Sequence, residues 1–230
     1  MVRLPDRFLE WNYYPRRRLI QKMLVGGARV SPERLALEFT RHNPVLVTAA
    51  PLGGGIRVNG KVVGCGYVPR REWIAEAVRA FEEHIRASDE AYEEARGDRE
   101  ALRRLYVEHA ERGARLMLRH IYLPRGEAEG RVDFEKLATV ELAMKETWRL
   151  VQLNRTASLV FFQPPTVSFE VKGRLTVHIG DEYHRVVTLI HDAYHYTPPE
   201  RRGERPVYIL HVEEVYDKSA TPSGFGRRIA

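Results

Sequence analysis

Alternating apolar and polar residues in the last third of the chain predict a long β-strand. Over residues 167–177, Val167, Phe169 and Val171 alternate with polar residues. Successive side chains of a strand point to opposite faces, so this pattern indicates one buried face and one solvated face. Shorter apolar runs predict three further strands, over residues 45–50, 157–163 and 207–216.

Glycine-rich turns indicate that the first of these strands belongs to a hairpin. The strand over 45–50 is followed by a predicted turn at the three glycines 53–55, after which residues 56–58 resume an extended chain. The dipeptide Asn59-Gly60 is typical of a tight two-residue hairpin turn. We therefore predict that the chain turns at Asn59-Gly60 and that residues 61–68 return as the partner strand.

A helical spacing of apolar residues dominates the middle of the chain. An apolar residue recurs at every fourth position from residue 73, which places one apolar stripe on a helix. The stripe consists of Trp73, Ala77, Phe81 and Ile85. Helices are also predicted over 31–41, 89–96, 98–116, 133–153 and 181–196, with a loop over 123–130 and a strand or irregular arm that leads into a short helix over 1–24.

Together these elements predict an α+β fold. Hairpin signals occur at both ends of the chain and helical periods lie between them. We expect a mostly antiparallel sheet or a small split β-barrel with a helical insertion at about 72–153. At 230 residues the chain is within the range of one large domain, so we expect a single domain over 1–230.

Composition limits the class of protein. No apolar run approaches the roughly 20 residues that a transmembrane helix needs, and the charged N-terminal stretch lacks the apolar core of a signal peptide. Cys65 is the single cysteine, so no internal disulfide forms and we expect a cytoplasmic protein. Only three Gln and four Asn occur beside abundant Arg and Glu, which favours a hyperthermophile. Biased codon usage is the alternative, since it also enriches arginine.

Charge is distributed unevenly along the chain. Residues 1–30 carry seven basic and two acidic side chains, whereas residues 72–100 carry ten acidic and four basic ones. The basic end indicates one alternative function, a nucleic-acid-binding module that contacts phosphates. The acidic helices of 72–120 indicate another, a non-catalytic interaction protein that docks a partner. The nucleic-acid module would use Tyr13, Tyr14, Arg16, Arg17, Arg18 and Lys22.

Histidines near residue 190 form a candidate metal cluster. His191 and His195 are one helical turn apart and therefore lie on one helix face, with His184 nearby in sequence. Asp192 stands where a zinc protease motif carries glutamate, and no third ligand is evident. Metal binding by these histidines stays an alternative, and no metal site is predicted outright.

Two glycines flank the single cysteine on a predicted strand. Gly64 and Gly66 lie on either side of Cys65. Glycine within a strand often marks close backbone approach, so this pair indicates contact with a ligand or with a neighbouring strand. No cationic run lies near Cys65 to activate its thiol, so we do not expect a reactive cysteine.

The order of elements over residues 145–216 resembles that of a known family. A helix leads into the sequence LNRTASLVFF at 153–162, and after a break VSFEVKGRL follows at 167–175. A short helix and the sequence VYILHVEEVY at 207–216 complete the segment. This order is similar to that of the flavin-binding split-barrel superfamily, the pyridoxamine-phosphate-oxidase-like and flavin-reductase-like proteins. In that family a helix with a phosphate-facing Lys or Arg precedes two strands, the second ending in Val-x-Gly-Arg.

The resemblance implies an FMN-binding oxidoreductase that forms a homodimer, because the family's cofactor lies between subunits. It further implies that cationic side chains bind the phosphate at the barrel rim, and that a strand hydroxyl and an amide reach the phosphate or the ring. The residues that it assigns to the cofactor are Thr48, Lys145, Arg149, Arg155 and Gln163. The simpler interpretation is a solvated helix face for Lys145 and Arg149, and an ordinary strand position for Thr48. No catalytic residue is predicted.

Overall fold

The computed structural model describes residues 1–25 and 31–230, which contain both helices and strands. The helices are α1 (Asp6–Trp11), α2 (Tyr13–Leu24), α3 (Pro32–Thr40), α4 (Arg71–Glu94), α5 (Arg99–His120), α6 (Arg125–Arg131), α7 (Glu146–Leu153) and α8 (Glu182–Tyr194). The strands are β1 (Val45–Leu52), β2 (Gly55–Val62), β3 (Lys136–Val140), β4 (Thr156–Gln163), β5 (Val167–His178), β6 (Val207–Asp217) and β7 (Arg227–Arg228). In the described ranges, no helix has both the length and the apolar character needed to cross a membrane.

The described strands belong to one antiparallel sheet with the order β2-β1-β4-β5-β6-β3, and β7 pairs with β6. The predicted α+β class with a mostly antiparallel sheet is therefore confirmed. On β5, Phe169 and Val171 are buried while Lys172 is only half-buried, as the alternation of apolar and polar residues indicates. Glu170 departs from this pattern, since it is buried and its carboxylate pairs with Lys218. The predicted boundaries of β4, β5, α8 and β6 agree with the structure to within about two residues.

The chain that follows β2 joins the two ends of the sheet. Cys65 N donates to His42 O (2.8 Å), which extends the pairing with the β1 side. One residue later, Gly66 and Ala138 of β3 exchange two backbone hydrogen bonds (2.9 and 2.8 Å). This seam consists of isolated bridges rather than a continuous ladder, so the sheet curves into a split barrel without closing fully.

The first hairpin turns at the glycine run 53–55, where the sequence also predicts a turn, and not at Asn59-Gly60. Leu52 pairs with Gly55, and the two residues between them, Gly53 and Gly54, have φ values of +64° and +82°. Two successive positive φ values are what a type I′ hairpin turn requires, and glycine adopts them without strain. Asn59-Gly60 lies inside β2 instead, so the predicted turn at that dipeptide is wrong.

The segment predicted as one helix over 133–153 contains a strand. Residues 136–140 form β3, which pairs with β6 from Lys136↔His211 to Val140↔Val207, and only the shorter α7 is helical. Apolar residues at 134, 137, 144, 148 and 151 match a helical spacing, but only one of them lies within 136–140, so the sequence does not reveal a strand there. Residues 136–140 form a strand because the edge of β6 offers hydrogen-bonding partners to their backbone groups.

Three further boundaries differ from the prediction. The helices predicted over 73–85 and 89–96 are one continuous helix, α4. The loop predicted over 123–130 contains α6, which starts after Pro124. The predicted N-terminal arm is two helices, α1 and α2, preceded by residues that pair through Val2 N with Val212 O (2.8 Å).

A helical layer of α4, α5 and α8 packs beside the sheet, and one glycine sets the spacing between two of its helices. A Cβ atom placed on Gly113 of α5 would lie 1.7 Å from the backbone oxygen of Ala193 in α8. Because that neighbour is backbone, the helices themselves would have to separate. The close approach holds α8 in the position from which it covers the candidate site described below.

We expect Gly113→Ala to destabilise the protein for this reason. Overpacking typically costs about 1–3 kcal/mol, and here it opposes two rigid helices. Thermal unfolding followed by circular dichroism should show a lower Tm, by roughly 2–4 °C for each kcal/mol. The matched control is Gly130→Ala in α6, where a Cβ atom meets nothing within 4 Å and helix propensity favours alanine. An unchanged Tm for Gly113→Ala would contradict the close packing of α5 on α8.

Candidate functional site

A cavity of about 340 Å³ lies beside the seam of the sheet. One side is formed by the glycine-flanked segment 64–67 and by residues 138–140 of β3. The opposite side is formed by α8, through Val187, Ile190 and Tyr194. Phe39, Tyr67 and Tyr122 add aromatic surface. The volume is in the range of small-molecule and cofactor sites, which are mostly apolar with a few placed polar groups.

The two glycines at the seam keep the cavity open. A Cβ atom on Gly64 or Gly66 would meet no atom within 4 Å, so the space beside each is unfilled. Close backbone approach was expected here, and the neighbouring strand accounts for part of it, since Gly66 pairs with Ala138. Burial raises the pKa of the Cys65 thiol to about 12, so the thiol stays protonated at neutral pH.

Arg16 of α2 supplies a positive charge to the cavity. The side chain is half-buried, and its guanidinium carbon lies 5.2 Å from the ring centroid of Tyr194 and 6.0 Å from that of Phe39, which are cation–π distances. The Nε atom is buried and has no hydrogen-bonding partner. Within residues 1–25 and 31–230, no Asp or Glu forms a salt bridge with Arg16, and no carboxylate lines the cavity. Such a guanidinium is suited to binding an anion.

His42 and Thr139 place unpartnered polar atoms at the same cavity. The His42 side chain is 6% exposed, and neither of its ring nitrogens has a hydrogen-bonding partner. Burial lowers the pKa of His42 well below its ordinary value, and the charges of Arg16 and Arg41 act in the same direction. The imidazole is therefore neutral at pH 7. Thr139 is 7% exposed, and its Oγ1 atom is likewise without a partner.

The histidines at the end of α8 line the cavity. His191 and His195 have ring centroids 5.4 Å apart, and His191 Nδ1 lies 2.9 Å from Asp192 Oδ1. Burial lowers the pKa of His195, as do the neighbouring His191 and Arg16. His184 does not line the cavity. Among the described residues, no group of three or more His, Cys, Asp or Glu is placed to hold a metal ion.

The residues that the family resemblance assigns to the cofactor do not line this cavity. Thr48 is 1% exposed and lies opposite Asn59, whose amide donates to Thr147 of α7, so α7 covers it. The Gln163 amide is engaged on both sides, since its Oε1 accepts from Trp11 (2.8 Å) and its Nε2 donates to Leu37 O (3.3 Å).

The three cationic residues of that group lie around α7. Lys145 and Arg149 are exposed at its start and in its body. Arg155 follows the helix and is half-buried, with an Nη1 atom that has no partner. Their assignment to a phosphate stays a prediction. The variants described below test whether the phosphate is bound at α7 or at Arg16 in the cavity.

Most of the residues predicted to bind nucleic acid are buried or make contacts within the protein. Tyr13 is fully buried and Tyr14 is 7% exposed, so neither ring presents a face for stacking on a base. Arg17 donates to Tyr122 O (2.7 Å), and Arg16 faces the cavity. Of the basic residues in this group, Arg18 and Lys22 are exposed.

Comparison with known proteins gives structural matches only. No family model and no curated protein matches the sequence. A tagged form of HupZ from Group A Streptococcus is 11% identical, with coverage of 87% of this chain and 99% of that chain and a TM-score of 0.39. A candidate pyridoxamine 5′-phosphate oxidase of Lactobacillus delbrueckii is 14% identical (83% and 96% coverage, TM-score 0.36). A pyridoxamine 5′-phosphate oxidase-related, FMN-binding protein of Nostoc punctiforme is 13% identical (82% and 84%, TM-score 0.34). These structural neighbours include proteins of the family that the sequence resembles.

Proposed function

We propose that this protein binds flavin mononucleotide in the cavity beside the seam and acts as an FMN-dependent oxidoreductase. The observation that carries the proposal is the half-buried guanidinium of Arg16, which faces an aromatic-lined cavity and has no carboxylate partner among the described residues. FMN combines a planar ring with a phosphate dianion, and the cavity offers a surface for each. When bound, FMN supplies hydride or single-electron transfer.

The aromatic side chains and the seam would hold the ring. Tyr67, Tyr122 and Tyr194 provide apolar faces, and the glycines of segment 64–66 let a flat ring approach the backbone. Tyr67 is itself fixed, because its hydroxyl donates to Asn12 Oδ1 (2.5 Å). Because this wall is already rigid, the entropic cost of ordering its side chains on binding is lower.

Arg16 would hold the phosphate through charge-assisted hydrogen bonds. A half-buried guanidinium without an internal carboxylate gains more from an anion than a fully exposed one does, since less of the attraction is screened by water. Lys145 and Arg149, the phosphate ligands that the resemblance implies, are exposed. The two assignments place the phosphate at different elements, α2 and α7, and are therefore separable by mutation.

Filling the cavity at Gly66 tests the location of the site. We expect Gly66→Val to weaken FMN binding at least tenfold, because its side chain would occupy unfilled space at the seam while extended backbone tolerates valine. Quenching of flavin fluorescence on titration measures the affinity. Gly203→Val is the matched control, since Gly203 also has no neighbour within 4 Å but does not line the cavity. Absence of quenching by the wild-type protein would reject FMN, and wild-type affinity in Gly66→Val would place the flavin elsewhere.

We further infer that the protein forms a homodimer through the outer face of β2 and β1. This face carries three exposed apolar residues of β2, namely Val58 (62%), Val62 (66%) and Ile56 (69%). Val62 pairs with Val45 of β1 and Ile56 pairs with Pro51, so these residues lie on the same face. Contiguous apolar surface of this kind marks interaction sites. In a two-fold interface, a surface patch packs against the same patch of the second subunit. Because this patch carries no charges, the two copies would not repel each other. β2 is also an edge strand of the sheet.

A further inference from the structure

His42 and Thr139 leave buried hydrogen-bonding atoms without partners at one cavity. Both are more than nine-tenths buried, and three polar atoms between them, His42 Nδ1, His42 Nε2 and Thr139 Oγ1, have no partner. Folded proteins satisfy most such atoms, because an unmade hydrogen bond in the interior destabilises the fold. A concentration of them at one cavity that also contains Arg16 indicates atoms kept available for a ligand.

The two residues lie on opposite sides of the same extended segment. His42 O accepts from Cys65 N, and Ala138, the residue before Thr139, pairs with Gly66. The backbones on the two sides of this segment are two strand spacings, or about 10 Å, apart. The side chains of His42 and Thr139 narrow this gap to about the width of a fused ring system. A group bound over the seam can therefore be contacted from both sides.

The protonation state of His42 defines what it can recognise. A neutral imidazole offers one donor and one acceptor, and a threonine hydroxyl offers a donor and acceptors. Arg16 and Arg41 keep His42 neutral by opposing a further positive charge nearby. The complementary ligand edge consequently carries a donor and an acceptor side by side.

We propose that His42 and Thr139 recognise the edge of a cyclic amide or imide in a planar heteroaromatic ligand whose anionic group is bound by Arg16. The inference rests on the proposed function in that the flavin ring carries an imide edge. It goes further, because it names the ligand atoms that the protein selects and the residues that select them. Both residues are specificity-determining contacts rather than proton-transfer groups.

Blocking the imide N–H tests the recognition directly. We expect the wild-type protein to bind FMN about tenfold more tightly than N3-methyl-FMN, because the methyl group removes one donor from the recognised edge. His42→Leu and Thr139→Val should each reduce this ratio toward one, and His42→Gln, which keeps a donor and an acceptor, should retain part of it. Thr188→Val serves as the matched control, since the Thr188 hydroxyl donates to His184 O (2.7 Å) and does not line the cavity.

The stability of the ligand-free protein gives a second, independent measurement. Replacing an unpartnered buried imidazole or hydroxyl by an apolar group of similar size removes a destabilising feature, so we expect His42→Leu and Thr139→Val to raise the Tm by about 2–4 °C. A purely structural role would give the opposite sign. This gain, combined with a loss of selectivity, is the signature of residues retained for binding.

The outcomes separate this inference from the proposed function. If the wild-type protein binds neither flavin, FMN is rejected, and the sign of the Tm change alone decides whether the two residues are kept for another amide- or imide-bearing ligand. If it binds both flavins equally, recognition of the imide edge is overturned while FMN binding stands. A lower Tm in both variants would overturn the inference in either case.

Discussion

Arg16→Gln is expected to abolish the preference of this protein for FMN over riboflavin. Riboflavin lacks the phosphate, so the ratio of the two affinities isolates the contribution of the anion. A hydrogen bond to a charged group contributes about 1.5–3 kcal/mol, which corresponds to roughly a 10–150-fold change in Kd. Glutamine retains much of the length of the side chain and removes its charge. Arg16→Lys should give an intermediate ratio, because lysine keeps the charge without the planar, bidentate geometry.

The competing assignment is tested by the double variant Lys145→Ala, Arg149→Ala. Both residues are exposed, so their removal leaves the packing of the core unchanged. If the phosphate is bound at α7, this variant loses the preference for FMN and Arg16→Gln keeps it. The reverse result locates the phosphate at α2. Circular dichroism of each variant confirms that the fold is retained before the affinities are compared.

Val58→Arg is expected to convert a homodimer into a monomer. Because a two-fold interface contains each residue twice, one substitution brings two uncompensated charges into an apolar contact. Like-charge juxtaposition of this kind costs on the order of 3 kcal/mol or more, a change of at least about 100-fold in the dimer Kd. Size-exclusion chromatography with light scattering measures the molar mass directly.

A matched variant separates loss of the interface from a general effect of arginine. Val107 of α5 is 55% exposed and lies away from the face of β1 and β2, so Val107→Arg should leave the dimer intact. A monomeric wild-type protein over the micromolar concentration range would contradict the dimer. So would a Val58→Arg variant whose mass equals that of the wild-type protein.

The regular strands of the last third were predictable because their two faces differ. Phe169 and Val171 are buried while Lys172 is partly solvated, and a period of two is hard to produce by another element. The strand β3 was missed for the opposite reason. It is short, and Leu137 and Ala138 are both buried, so its pattern fits a helix and a strand equally well. Only its pairing with β6 distinguishes them, and that contact is remote in sequence.

The first hairpin shows why a short local signal can fail. Asn59-Gly60 carries the composition of a tight turn, but the preceding glycines offer two adjacent positions with positive φ. Turning at Gly53-Gly54 lets β1 pair with β2 over its whole length, from Val45↔Val62 to Leu52↔Gly55. The larger number of backbone hydrogen bonds outweighs the preference of one dipeptide.

The cavity could not be assembled from the sequence because its polar residues come from separate segments. Arg16 belongs to α2, His42 belongs to the loop before β1, and Thr139 belongs to β3. No fixed spacing in the sequence relates these three residues. The sequence places Arg16 in a basic cluster that favours nucleic-acid binding, and nothing in it links this residue to a cavity. The glycines beside Cys65 were the one local signal of close approach, and they indicated the seam without indicating which side chains face it.

The seam has fewer backbone hydrogen bonds than the β4–β5 ladder of the sheet. Along it, the segment 66–70 and the segment 131–138 share four backbone hydrogen bonds, whereas β4 and β5 are paired over their whole shared length. Parting these few bonds leaves every ladder of the sheet intact and widens the gap between Gly66 and Ala138. Local opening costs least free energy where such bonds are sparse. Separating these two segments would therefore widen the wall of the cavity without unfolding any strand ladder of the sheet.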